Sequence, residues 1–194
     1  MQLPILQAKR IVLEPLTHAH SEGMFALWSA PEVCAFSGRA FDVRGVEIQL
    51  PAQSARDSDR IIEFFQAMQA GGTGCRWAMR SRVVAVPDGA AGSAFMGALG
   101  FNALGACAEL AYHLHPRFWG HGLMQEACSA TLAWVAERVD AQTVEAFIER
   151  DNLASLQLAL RLGFLAAPVG RNNAAKDHAQ KDDAQRYVLR LPAR

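Results

Sequence analysis

Across residues 108–138 the hydrophobic period of the chain changes from two to 3.6 over one short junction, and that change constrains the fold more than any other feature. Residues 108–115 alternate, with Leu110, Tyr112 and Leu114 on one face and Glu109, His113 and His115 on the other, as a strand half-buried in a sheet requires. From residue 122 to residue 138 the apolar side chains follow helical rows, Leu123, Ala127, Ala130 and Trp134 beside Met124, Cys128, Thr131 and Val135. A strand that feeds directly into a buried helix belongs to a layered domain containing both kinds of element.

The junction reads LHPRFWGHGLMQE and contains Arg117-x-x-Gly120-x-Gly122. Glycines let successive backbone N–H groups turn inward, and the unpaired amides of the following helix add the positive end of its dipole. Such an arrangement suits a pyrophosphate, with Arg117 and His121 adding positive charge. A pair of glycines before a helix also serves a plain tight turn, so this segment by itself leaves both readings open.

Elsewhere the pattern predicts a strand over residues 10–16 and a helix capped by Thr17 that stops at the Ala30-Pro31 step. A second helix spans about residues 54–69 and ends at Gly71-Gly72. Strands follow over residues 75–80, with an extension at 83–86 and a turn at Pro87-Asp88-Gly89, and over 94–102, where Phe95, Leu99 and Phe101 share a face. With residues 108–115 these form an antiparallel meander. Another strand covers 144–148, a helix 152–162 lies between Asn152 and Gly163, and 186–191 closes the chain as a strand. The polar stretch 167–184 reads as a mobile loop. No repeat or linker divides the chain, so 1–194 is expected to be one α+β domain.

Composition narrows the function classes. The 194 residues include 19 basic and 19 acidic side chains, 51% hydrophobic residues and 8 prolines, as in an ordinary globular protein. Zero net charge argues against nucleic acid and against a polybasic membrane surface, so an anion must be held by local geometry. The N-terminus lacks the apolar core of a signal peptide and no run of about 20 apolar residues occurs, so a cytoplasmic location is expected. Cys34, Cys75, Cys107 and Cys128 are scattered and read as buried thiols. His113 and His115 lack a third ligand at sensible spacing, and no metal is expected.

About 30 residues after the glycine junction the chain reads Asn152-Leu-Ala-Ser155-Leu-Gln-Leu-Ala-Leu-Arg-Leu-Gly163-Phe164. Together with ELAYHLHPRFWGHGLMQEA this resembles the GNAT superfamily of acetyl-CoA-dependent N-acetyltransferases, and most of all its RimJ/RimL-like branch, which acetylates N-terminal amines of ribosomal proteins. RIVLEPLTHAH and APEV near the start, FMGALGF before residue 102, and Asp183-x-x-x-Tyr187-x-Leu189 extend the resemblance over nearly the whole chain. It implies a mixed, mostly antiparallel sheet of about seven strands, flanked by about four helices, with two central strands splayed apart. It implies acetyl-CoA as co-substrate, with the pantetheine arm along the free edge near Leu114. The pyrophosphate would lie in the loop of Arg117, Phe118, Trp119, Gly120, His121, Gly122 and Leu123, which with its helix covers 116–138. In the segment 152–164, Asn152 would bond the pantetheine arm and Ser155 would lie near the sulfur. Asn152 is equally a good N-cap, and serine is common in a first helical turn. A homodimer is a further implication of the family.

In the implied reaction an amine attacks the thioester carbonyl directly, with the Leu114 N–H stabilising the oxyanion. Many relatives place a tyrosine four residues after the Ser155 position; Ala159 stands there, leaving Ser155 to protonate the thiolate. Glu109 is the first candidate base and Glu145 the second. Trp28, Phe36, Phe41 and Tyr187 would line the acceptor pocket, Trp77, Phe95, Phe101 and Trp134 would lie in the core, and Trp119 would pack against the helix start. An α-amine with a pKa of about 7.8 is far more often neutral at pH 7 than a lysine near about 10.4, so weak acid/base equipment favours an N-terminal acceptor. The alternatives are a small amine, such as an antibiotic, polyamine or amino acid, and a non-catalytic acyl-CoA-binding module.

Overall fold

The computed structural model describes residues 1–82, 94–168 and 184–192. The chain opens with β1 (Leu6–Gln7) and β2 (Ile11–Pro15), a 3-10 turn (His18–His20), α1 (Ser21–Trp28) and the one-turn α2 (Pro31–Cys34). A small hairpin of β3 (Ala40–Phe41) and β4 (Glu47–Ile48) leads to α3 (Ala55–Gly71). The meander β5 (Cys75–Ser81), β6 (Phe95–Ala103) and β7 (Cys107–Leu114) follows, then α4 (Leu123–Arg138), β8 (Thr143–Glu149), α5 (Leu153–Arg161), β9 (Leu165–Ala166) and β10 (Ala184–Arg190).

Local chemistry explains most boundaries. Ala30 is extended because Pro31 follows it, and Pro31 then occupies the first position of α2, where its missing N–H costs nothing. The Asp57 carboxylate accepts the Ser54 N–H (3.0 Å) at the start of α3, and Gly72 ends it at φ +70°.

The strands form an eight-stranded sheet in the order β1-β2-β5-β6-β7-β8-β10-β9, with β3 and β4 paired separately. That is one strand more than expected in the sheet, because two-residue edge strands such as β1 and β9 are too short to alternate visibly. Helix α2 likewise falls below the length at which periodicity registers. The expected extension at 83–86, its turn, and residues 169–183 of the expected loop lie outside the described residues.

Each face of the sheet carries its own apolar layer. Helices α4 and α5 cover Leu13, Trp77, Leu99, Phe101 and Leu110, and Trp77 meets Trp134 edge to face at 4.9 Å. Helices α1 and α3 cover Leu16, Ala78 and Ala98 with Met24, Leu27, Trp28, Ile61 and Ile62. Phe95 joins this second layer, away from Leu99 and Phe101, because a bulge opposite Met79 and Arg80 shifts the alternation of β6. Tyr187 is 8% exposed within the first layer, so it is a core residue and not a pocket lining.

Every neighbouring pair in the sheet is antiparallel except β7 and β8. These two run parallel and pair only at Cys107↔Thr143, Ala108↔Val144 and Glu109↔Glu145, after which they diverge. Beyond that point β7 stays on β6 as far as Gly97↔Leu114, while β8 stays on β10. Gly97 permits this close approach: a Cβ there would lie 2.2 Å from the His113 carbonyl oxygen. Gly97→Val should therefore lower the urea midpoint by an amount equivalent to about 1–3 kcal/mol, with an unchanged m-value. An unaltered midpoint would show that the strands can separate at Gly97 without cost.

Candidate active site

The junction after β7 is built to leave backbone donors open. The His115 ring accepts the Arg117 N–H (3.4 Å) and caps a 3-10 turn over Pro116–Phe118. Gly120 and Gly122 then take φ of +78° and +69°, a region that other residues rarely adopt. Gly122 is the N-cap of α4 and offers no side-chain bond; the helix ladder begins only at Glu126 N–H to the Gly122 carbonyl (3.2 Å). The amides of residues 123–125 thus lack helical partners, at the positive end of a 16-residue helix. Space is open beside them, for a Cβ at Gly120 would meet nothing within 4 Å.

Arg117 is exposed with its guanidinium 5.6 Å from the centre of the Phe118 ring, and His121 is exposed as well. The Leu123 side chain is buried, so only its backbone belongs to the loop. Trp119 corrects the sequence expectation: it is 48% exposed instead of packed on the helix start, and its Nε1–H donates to the Leu114 carbonyl (2.7 Å). The His115 N–H bonds back to Met96 on β6 (2.9 Å), so by strand alternation the Leu114 amide faces the side from which β8 has departed.

Across that opening stands the start of α5. The Asn152 side chain caps it by accepting the Ser155 N–H (3.1 Å), so the N-cap reading of Asn152 holds. The Tyr112 hydroxyl on β7 reaches the Ser155 carbonyl (3.5 Å), one helical turn before buried Ala159. Burial pushes the Tyr112 phenol above its ordinary range, outweighing that hydrogen bond.

On the opposite face, the point where β7 and β8 part carries ionisable groups. Glu109 and Glu145 are register partners, 7% and 6% exposed. Glu145 accepts from Arg186 Nε (2.6 Å), and Glu109 from Asn102 Nδ2 (2.8 Å). Burial raises the Glu109 pKa, the Glu145 charge adds to the rise, and the Asn102 bond and the Arg76 charge oppose it. Arg76 is almost fully buried, stacks on Phe65 at 4.1 Å and donates to the Ala111 carbonyl (2.7 Å) and to Asn102 Oδ1 (2.5 Å). Burial lowers its pKa to about 10. The His113 ring packs tilted against Trp28, with centroids 4.5 Å apart, and burial, aided by Arg76, lowers its pKa to about 3. It is a packed neutral imidazole at every ordinary pH.

The structure thus brings Leu114, the glycine loop, Asn152 and Ser155 around one opening, with Glu109 and Glu145 where the splay begins. Of the expected pocket aromatics, Trp28 is buried against His113, whereas Phe36 is 44% exposed. Arg76, Asn102, Arg10 and Glu126 were not singled out by sequence reasoning. The Arg76 signal, a charge flanked by apolar residues at the start of a strand, was present in Cys75-Arg76-Trp77. Among the described residues, no group of three or more His, Cys, Asp or Glu side chains could hold a metal ion, and no helix is long and apolar enough to cross a membrane.

The raised Glu109 pKa has a consequence for stability. The protonated form favours the fold fully below about pH 4.3, and this contribution is lost as pH rises through the raised native value. Glu109→Gln, which keeps an oxygen for Asn102, should therefore be more stable than the parent at pH 7–8 and equal to it near pH 4, as thermal melts at the two values would show. A variant less stable at pH 8 would contradict this.

The Acetyltransferase (GNAT) domain family matches residues 10–165. An uncharacterised N-acetyltransferase of Bacillus subtilis (strain 168), YoaA, is 27% identical over 164 residues, covering 83% of this chain and 82% of that one. Among solved structures, RimL, a ribosomal L7/L12 alpha-N-protein acetyltransferase in complex with coenzyme A, superposes with a TM-score of 0.73 at 18% identity over 97% of this chain and 98% of its own. The microcin C7 self-immunity acetyltransferase MccE, in complex with acetyl-CoA and AMP, gives a TM-score of 0.68 at 16% identity over 94% and 93%. The uncapped helix start with open space beside its glycines, followed by a strand edge freed by the splay, fits the anionic and extended parts of acetyl-CoA. With a family match across most of its length and a fold to suit, the chain belongs to the GNAT acetyltransferases, acyltransferases that use acetyl-CoA.

Proposed function

We propose that this enzyme acetylates a primary amine, and that its preferred acceptor is the α-amine of a protein or peptide. The carrying observation is the buried Glu109 at the start of the splay, a carboxylate whose raised pKa brings its proton affinity closer to that of a weakly basic amine. Resemblance in fold to RimL supports the same acceptor class. A homodimer, implied by the family resemblance, and a cytoplasmic location complete this reading.

The bound thioester supplies an activated acyl carbonyl; the protein's residues do the rest. Backbone amides of Gly120, Gly122 and Leu123, with Phe118 and Trp119 beside them and Arg117 and His121 adding charge, hold the pyrophosphate. For the pantetheine arm to pair with β7, the Trp119 indole must release the Leu114 carbonyl that it now occupies. The Asn152 side chain orders the start of α5, and its amide would bond the arm. The Leu114 N–H stabilises charge developing on the carbonyl oxygen. Glu109 takes the proton from the attacking amine, directly or through a water, and the departing thiolate takes a proton relayed by the Ser155 hydroxyl, which recovers its own from a water. An ordinary thiol pKa of about 8.5 makes that last demand modest, so Ala159 in place of a phenol is tolerable.

Turnover of acetyl-CoA measured across N-terminal peptides and small amines should favour peptides; reaction with small amines alone would assign the enzyme to that second class. The kcat/KM for a peptide should rise with pH along a limb above the ordinary carboxylate range, and Glu109→Gln should flatten that limb. Ser155→Ala should lower kcat while leaving the calorimetric Kd for CoA unchanged. Gly120→Val, which forces a β-branched side chain to positive φ in the anion loop, should weaken CoA binding by at least about tenfold, or about 1.4 kcal/mol.

A further inference from the structure

Arg10 stands just before β2, far in sequence from the glycine loop, yet three bonds tie it to the loop and to the start of the helix that follows. Its backbone N–H donates to Glu126 Oε1 (2.6 Å), its Nε to Glu126 Oε2 (2.8 Å), and its Nη1 to the His121 carbonyl (2.9 Å). The remaining nitrogen, Nη2, lies 3.8 Å from where a Gly122 Cβ would stand. Glu126 is held in turn: burial pushes its pKa up, but the Arg10 backbone and guanidinium and the Ile11 N–H outweigh that and keep it ionised.

The bond to His121 has a geometric effect on the loop. A trans peptide is planar, with its C=O and the next N–H pointing in opposite directions. Fixing the His121 carbonyl on Arg10 therefore fixes the Gly122 N–H on the side facing away from Arg10. Gly122 is a glycine at positive φ, so without this bond its peptide plane could turn over and present a carbonyl oxygen to an anion. The carboxylate of Glu126 anchors the guanidinium that does the fixing, and it does so from the first turns of α4, where a negative charge also suits the helix dipole.

We infer that Arg10 is a positioning residue for the cofactor, with Glu126 as its anchor: the pair presets the peptide plane between His121 and Gly122 so that the loop receives the pyrophosphate of CoA without rearrangement. This rests on the pyrophosphate assignment proposed above. The role is distinct from a charge effect. A charge effect would make removal of the Glu126 carboxylate strengthen anion binding, whereas the clamp requires that same removal to weaken it.

The test uses the full-length enzyme and two acetyl donors, acetyl-CoA and the S-acetyl thioester of N-acetylcysteamine, which has the thioester but no pyrophosphate. Arg10→Gln and Glu126→Gln should each raise the calorimetric Kd for CoA and the KM for acetyl-CoA about tenfold. Both should leave kcat at saturating acetyl-CoA, and kcat/KM for the truncated thioester, within about twofold of the parent. Arg10→Lys, which keeps the charge but loses the two-sided fork, should not restore affinity. Tighter or parent-like CoA binding in Glu126→Gln would overturn the clamp, as would full rescue by Arg10→Lys or an equal loss with both donors. Gly120→Val separates the two levels. Weakened CoA binding there, with parent-like binding in Arg10→Gln, overturns the role of Arg10 alone, whereas parent-like binding in both overturns the pyrophosphate assignment and this inference with it.

Discussion

The parallel pairing of β7 with β8 lasts for three residue pairs and then stops, and the active site depends on that stop. Each strand keeps its antiparallel partner on the other side, so the separation leaves polar backbone on the inner edges without a ladder. Inside a protein such an edge must find other partners. Trp119 supplies one by donating to the Leu114 carbonyl, and a pantetheine arm with amides of its own is chemically suited to supply others. Gly97 contributes from the far side of β7 by letting β6 approach more closely than any side chain would allow.

The same divergence explains the charges behind it. Where the strands begin to part, the sheet is no longer filled by paired side chains, and Arg76, Asn102, Glu109, Glu145 and Arg186 occupy the face toward α1 and α3. Glu145 is paired with Arg186 at 2.6 Å, whereas Glu109, among the described residues, accepts its hydrogen bond from the neutral amide of Asn102. Burial raises the proton affinity of Glu109, and so suits it to take up a proton. Arg76 reaches across the strand at Gly100 to the Ala111 carbonyl, so a buried cation ties β5 to β7 in the same layer.

A chain of zero net charge is well matched to a highly anionic cofactor on these terms. The positive potential comes from oriented amides and a helix start, with only a few exposed cations nearby, and the Arg10 cation is matched by the Glu126 carboxylate. The affinity then depends on how well the backbone is preset more than on how much charge is present.

The sequence by itself determined what depends on near neighbours. The change of period at residues 108–138, the Pro31 and Gly72 boundaries, the Asn152 cap and the glycine junction all follow from local propensity, and they were legible for that reason. The family and its cofactor were legible too, because the residues that turn and cap the backbone are close in sequence. Tertiary structure alone decided what depends on register and long-range approach. A one-residue bulge in β6 moved Phe95 to the other layer, strand order put Tyr187 in the core, and the Trp119 indole bonded across the loop to Leu114. The clamp from Arg10 to Glu126 joins positions 116 residues apart, and the Glu109 environment is assembled from several strands. Periodicity carries no information about which distant side chains meet, and proton affinity depends on those meetings.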